Sequence, residues 1–137
     1  MKKSILLITA YLSLLFISCK KNTPENINEP VPAGTAIAAG SFLSNAHSCS
    51  GTVKIIKDSA NKIQLVFTNF ATDNGPDLRV WISPNDGGSP YQELGLLKAV
   101  TGNFSYELNA SHNYLTNNHV LIWCKRYSVL FGHAVLQ

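Results

Sequence analysis

Charge is scarce in this sequence. Of 137 residues only 14% are Asp, Glu, Lys or Arg, against 45% hydrophobic. A disordered chain carries more charge and less apolar surface, so that class is excluded. The basic surplus is small, 11 Lys and Arg against 8 Asp and Glu, and falls to 9 against 8 once Lys2 and Lys3 are set aside. No electrostatic footprint for nucleic acid remains. Long apolar runs are missing as well. Ile5 to Ile17 is uncharged for thirteen residues, short of the about 20 that a spanning helix needs. There is no Gly-X-Y repeat, heptad run or low-complexity tract, which excludes fibres and coiled coils. No nucleophile elbow, phosphate loop or His-Glu zinc motif is present, so no catalytic constellation marks an enzyme. Cysteine is limited to three residues, Cys19, Cys49 and Cys124. The length suits one domain and not two.

What is there begins with an address. Lys2-Lys3 is a basic start, the run Ile5 to Ile17 follows, and Ser18-Cys19-Lys20-Lys21 ends it. That is the pattern of a secretory signal. Leu15-Phe16-Ile17-Ser18-Cys19 resembles a bacterial lipobox, in which a small residue precedes a Cys that is acylated before cleavage; Phe16 stands where Leu is usual. Residues 1–18 are thus expected as a lipoprotein signal peptide, with Cys19 anchored in the bilayer through acyl chains. The plainer alternative is an ordinary signal cleaved nearby, which leaves Cys19 a thiol. Residues 19–35 hold Pro24, Pro30 and Pro32 among Asn and Glu. They are expected as a tether, with packing on the domain only beyond Val31. The place implied is a bacterial cell envelope, facing the periplasm or the exterior.

Residues 36–137 read as all-β. Apolar residues alternate in Thr52–Lys57 and in Ile63–Thr68, and Asp58-Ser59-Ala60-Asn61 between them is a turn cluster, so a hairpin is predicted. Leu78–Ile82, Tyr91–Leu97 and Phe104–Leu108 are further strands, parted by breaker runs such as Pro84 to Pro90. Val120 to Phe131 is β-branched and aromatic like a buried strand. Only Asn109 to Asn118 could hold a helical turn. The expectation is a single antiparallel β-sandwich or partly closed β-barrel of about eight short strands.

Three separated motifs then resemble one family. They are Gly40-Ser41-Phe42 with His47 and Gly51-Thr52-Val53; Asn69-Phe70 with Asn74-Gly75-Pro76-Asp77-Leu78; and Ile122-Trp123-Cys124-Lys125-Arg126-Tyr127-Ser128-Val129 with Phe131-Gly132. Leu94-Gly95, Leu97-Lys98 and Gly102-Asn103 add weaker matches. In this order they resemble the DM13 domain, over roughly Gly40 to Leu136. The resemblance implies a strand-rich extracytoplasmic domain of the kind found beside DOMON domains. The role it implies is electron transfer, with Cys124 as the characteristic Cys and a redox protein as partner. Cys49 is not part of that family's pattern.

With Cys19 acylated, Cys49 and Cys124 remain, and an even pair in an oxidising compartment suggests a disulfide. Such a bond would close a loop of about 75 residues and contribute about 4 kcal/mol on the chain-entropy model. Three readings of Cys124 stand open: a structural disulfide with Cys49, a buried free thiol packed as a small hydrophobe, and a redox thiol or ligand. Reversible dithiol–disulfide exchange needs no further group. Haem ligation would need a pocket and an axial ligand, so the cofactor stays unknown. His47 and His133 are expected as hydrogen-bonded structural residues, His112 and His119 as loop or strand-edge residues. Asp73 and Asp77 are expected to bind nearby backbone. Trp81, Trp123 and Tyr127 could make a sugar-stacking surface, but cross-strand packing is the plainer reading. The competing function is a binding or adhesion module whose Cys pair is a staple or inert and whose Pro84 to Pro90 loop meets the partner.

Overall fold

The computed structural model describes residues 23–137; the expected signal segment and Cys19 lie outside them. Nine strands follow in chain order: β1 (Asn26–Asn28), β2 (Thr35–Ser44), β3 (Cys49–Lys57), β4 (Ile63–Thr72) and β5 (Leu78–Ser83), then β6 (Gln92–Leu96), β7 (Thr101–Leu108), β8 (His119–Cys124) and β9 (Val129–Val135). They form one sheet in the order β1-β7-β4-β3-β2-β9-β8-β5-β6. The all-β expectation holds, and of the two architectures expected the structure lies with the partly closed barrel and not the sandwich: a single curled sheet, a half-barrel of nine strands rather than eight. Its pairs are antiparallel except β1–β7.

The reason lies in β2. It pairs with β3 from Thr35 to Ser41 and with β9 from Phe42 to Ser44, with a bulge between Ala36 and Ala38. A long strand that changes partner carries the sheet around a corner instead of ending one layer and starting another. The inner face is then shared. One hydrophobic cluster joins Phe67 and Phe104 of the β4–β7 half to Val80 and Val120 of the β5–β8 half. Phe67 sits at its centre, 4.9 Å from Phe104, 5.3 Å from Phe70 and 5.4 Å from Phe42 between ring centroids.

The predicted β3–β4 hairpin is present, its turn held by Asp58, whose carboxylate accepts the Ala60 and Lys62 N–H groups at 2.8 and 2.9 Å. The expected helical turn shrinks to a single i→i+4 bond, from Asn117 N–H to Asn113 C=O at 2.9 Å. Val120 to Phe131 is two strands, not one unit. Lys125 to Ser128 reverses the chain, with Ser128 at φ 53°. The apolar residues on both sides had masked that polar turn.

The tether needs a correction. Asn26–Asn28 lies parallel to Thr101–Asn103, and Pro24 C=O accepts the Val100 N–H at 2.9 Å. Pro24 and Pro30 flank the short strand at the sheet edge, where a missing N–H breaks no ladder. Glu29 secures its end. Its carboxylate accepts from Lys98 Nζ at 2.7 Å and from Ser105 N–H at 2.9 Å. Packing thus begins before Val31. Among the described residues no helix is long and apolar enough to cross a membrane.

Candidate redox site

Both described cysteines face the inside of the curl, and both are free thiols. Cys124 is the last residue of β8, opposite Leu78 on one side and Val129 on the other. The alternation of β8 sends Val120, Ile122 and Cys124 into the core and Leu121 and Trp123 outward. Cys124 is 1% exposed and Cys49 4%, and one hydrophobic cluster holds both, with Phe131 and Leu78.

Cys49 opens β3, directly after the loop Asn45–Ser48. Ser44 clips it in place: Cys49 N–H donates to Ser44 Oγ at 3.0 Å, and Ser44 Oγ donates to Cys49 C=O at 3.2 Å. The side chain lies on the bare Cα of Gly132, where a Cβ would stand 2.7 Å from the sulfur. Burial pushes the Cys49 thiol up from an ordinary 9.0 to about 12; hydrogen bonds from Thr72 and Ser50 work against it, and the Asp73 charge works with it. At neutral pH this sulfur is a thiol, not a thiolate.

His47 roofs the neighbouring Phe131, ring on ring at 3.8 Å and 26°. Its Nδ1 lies 3.2 Å from Asp73 Oδ2, which also accepts the Ser48 N–H at 3.2 Å. Asp73 therefore binds backbone, but that of Ser48 in a loop 25 residues away and not of its own turn, and it orients His47 besides. His133 Nδ1 lies 2.7 Å from Asn45 Oδ1 and His119 Nδ1 2.9 Å from Asn118 Oδ1. Asp77 departs from its expected backbone role and takes the Arg79 Nε–H at 2.6 Å.

His47, Cys49, His133 and Cys124 do not come together as a metal or haem site. Among the described residues no group of three or more His, Cys, Asp or Glu is placed to hold a metal ion. Two surface clefts, one lined by Gly40, Leu43 and Val135 and the other by Ile82, Tyr91 and Asn117, touch neither cysteine. The enclosed Cys124 does not fit as an axial ligand at an open haem pocket.

On the outer face, Trp81 and Trp123 stack across β5 and β8 at 4.8 Å. Tyr127, which the sequence suggested beside them, sits in the β8–β9 turn, 67% exposed. Tyr91 takes its place, stacked on Trp81 at 3.7 Å. Below the stack Glu93 gathers Arg79 Nη1 at 2.9 Å, Lys125 Nζ at 3.1 Å and Trp81 Nε1 at 3.3 Å. Burial pushes the Glu93 carboxyl up, but Lys125, Arg79 and Trp81 outweigh it and hold the group below its ordinary value. Nothing in the sequence spacing marked this cluster.

The described residues thus form a half-barrel of strands with two enclosed thiols and a stack of Tyr91, Trp81 and Trp123 on its outer face. Residues 41–136 match the family described as Electron transfer DM13, and the chain belongs to that family. No curated protein and no solved structure matches it.

Proposed function

We propose that this chain is a lipid-anchored, extracytoplasmic electron-transfer protein whose redox centre is the thiol of Cys124, with Cys49 as its disulfide partner. Membership of an electron-transfer family supports the general role. The observation that carries the finer reading is that both described thiols lie in one enclosed core. Formation of an S–S bond between them removes two electrons and two protons, which a partner disulfide or a quinone accepts. Enclosure keeps stray thiols away, so exchange requires the Asn45–Ser48 loop to lift. Anchoring rests on the lipobox-like residues before Cys19, and it sets the place as the bacterial cell envelope.

Voltammetry of the purified protein tests the redox part. A two-electron, two-proton wave that disappears in Cys124→Ser supports it; an identical wave in that variant, or none in the wild type, contradicts it. Metabolic labelling with a fatty-acid analogue tests the anchor, with loss of label in Cys19→Ser expected.

A second reading has its own observation. A Cys49 thiol held at about 12 and a fully buried Cys124 are what packing cysteines look like. The domain would then be a binding module that presents its Pro84 to Pro90 loop. Thiols that stay reduced in every oxidising buffer would favour it.

A further inference from the structure

We propose that Tyr91, Trp81 and Trp123 form a one-electron relay between the protein surface and the strand that carries Cys124. The inference rests on the electron-transfer reading but does not need Cys124 to be the redox centre.

The rings lie in series. Tyr91 and Trp81 are 3.7 Å apart with planes 10° from parallel, and Trp81 and Trp123 are 4.8 Å apart at 17°. Stacked rings in contact give one continuous path of overlapping π-systems. Tyr91 is 46% exposed, Trp81 is 5% exposed and Trp123 is half-buried, so the enclosed ring lies between two that reach towards solvent. Trp123 closes the far end beneath the loop between β5 and β6: a Cβ on Gly88 would stand 2.9 Å from its ring, and Gly88 has φ +70°. The next residue along β8 is Cys124.

The surroundings suit a ring that loses an electron. Trp81 Nε1–H donates to the Glu93 carboxylate, which fixes the orientation of the indole and stands ready to accept its N–H proton. Arg79 and Lys125 hold the same carboxylate and fix it in place. Tyr91 has water at hand for its phenolic proton. The step then balances. A one-electron oxidant of the metal-complex class, a ferric or cupric centre on a partner, takes one electron from Trp123. Trp81 refills Trp123, and Tyr91 refills Trp81. The phenol releases its proton to water as its electron leaves. One oxidant is reduced, one tyrosyl radical forms and one proton enters solution.

The test places an oxidant at the Trp123 end. Asp86 is exposed in the same loop as Gly88, so Asp86→Cys in a Cys19→Ser background takes a thiol-directed ruthenium polypyridyl label while the buried thiols do not. Flash oxidation of the label, followed by transient absorption, is expected to show an indole radical that decays as a tyrosyl radical grows. Tyr91→Phe should leave the indole radical long-lived, and Trp81→Phe should cut the tyrosyl signal to the Tyr91→Phe background. An undiminished tyrosyl signal in either variant, or no indole radical in the labelled parent, overturns the relay. Should Trp81→Phe not fold, Tyr91→Phe decides alone. The wild-type voltammetric wave separates the two ideas: a relay intact in a wild-type protein that shows no two-electron thiol wave removes the thiol proposal only, and a missing relay beside an intact wave removes the relay only.

Discussion

The sulfur of Cys49 rests on the Cα of Gly132, so closely that a methyl group at position 132 would stand 2.7 Å from it. This contact locks the start of β3 onto β9, two strands that are not neighbours in the ladder. It also explains why a thiol, small and soft, fills a position that a longer side chain could not.

Gly132→Ala should therefore destabilise the domain by about 1–3 kcal/mol, the usual cost of overpacking. Urea unfolding measures it. Coupling the substitution with Cys49→Gly, which removes both the sulfur and the Cβ that lies nearest that point, should restore part of the loss, and only part because Leu43 C=O also crowds it, at 2.8 Å. Strict additivity of the two substitutions would mean that the sulfur and the glycine do not interact.

Alkali should weaken the fold through the same residue. The folded thiol keeps its proton up to about 12, while the unfolded one releases it near 9.0. Between those values the unfolded state binds fewer protons, so stability is complete below the lower value and falls as pH rises towards the upper. Burial also pushes the Tyr106 phenol up from 10.0, which adds a second decline at higher pH. Cys49→Ala should remove the first decline and leave the second. Unfolding free energies across the alkaline range decide this.

The N-terminal arm should matter to stability. Glu29→Gln weakens the ties to Lys98 and Ser105 and is expected to cost roughly 1 kcal/mol. Burial pushes the Glu29 carboxyl up, but Lys98 and Ser105 outweigh it and bring it below 4.5. The advantage of wild type over the variant is thus present above 4.5 and is lost as pH falls through the depressed value. An equal gap at neutral and strongly acid pH would contradict the account.

The strands that form the site were legible where one face is buried. Period-two alternation gave the β3–β4 hairpin, and breaker runs bounded β5; Cys124 lies inside with Val120 and Ile122. The choice between a curled sheet and a sandwich was not legible, because a long strand that trades β3 for β9 leaves the same alternation as two separate strands. β1 was hidden by its prolines: Asn26–Asn28 has no apolar pattern, and only the open edge of β7 makes it a strand. The aromatic stack was hidden for another reason. Tyr91 reaches Trp81 only through the β5–β6 pairing, where Glu93 sits opposite Trp81 across a bulge. Such a contact is set by register and not by spacing along the chain.

The central claim is that Cys124 and Cys49 work as one redox couple. Its most direct test equilibrates the purified protein in buffers of graded thiol–disulfide poise, quenches and unfolds it, alkylates the free thiols and counts them by mass. The account predicts that Cys49 and Cys124 disappear together along a single two-electron curve and that the oxidised form carries one internal Cys49–Cys124 bond. Two thiols that remain alkylatable at every poise would contradict it.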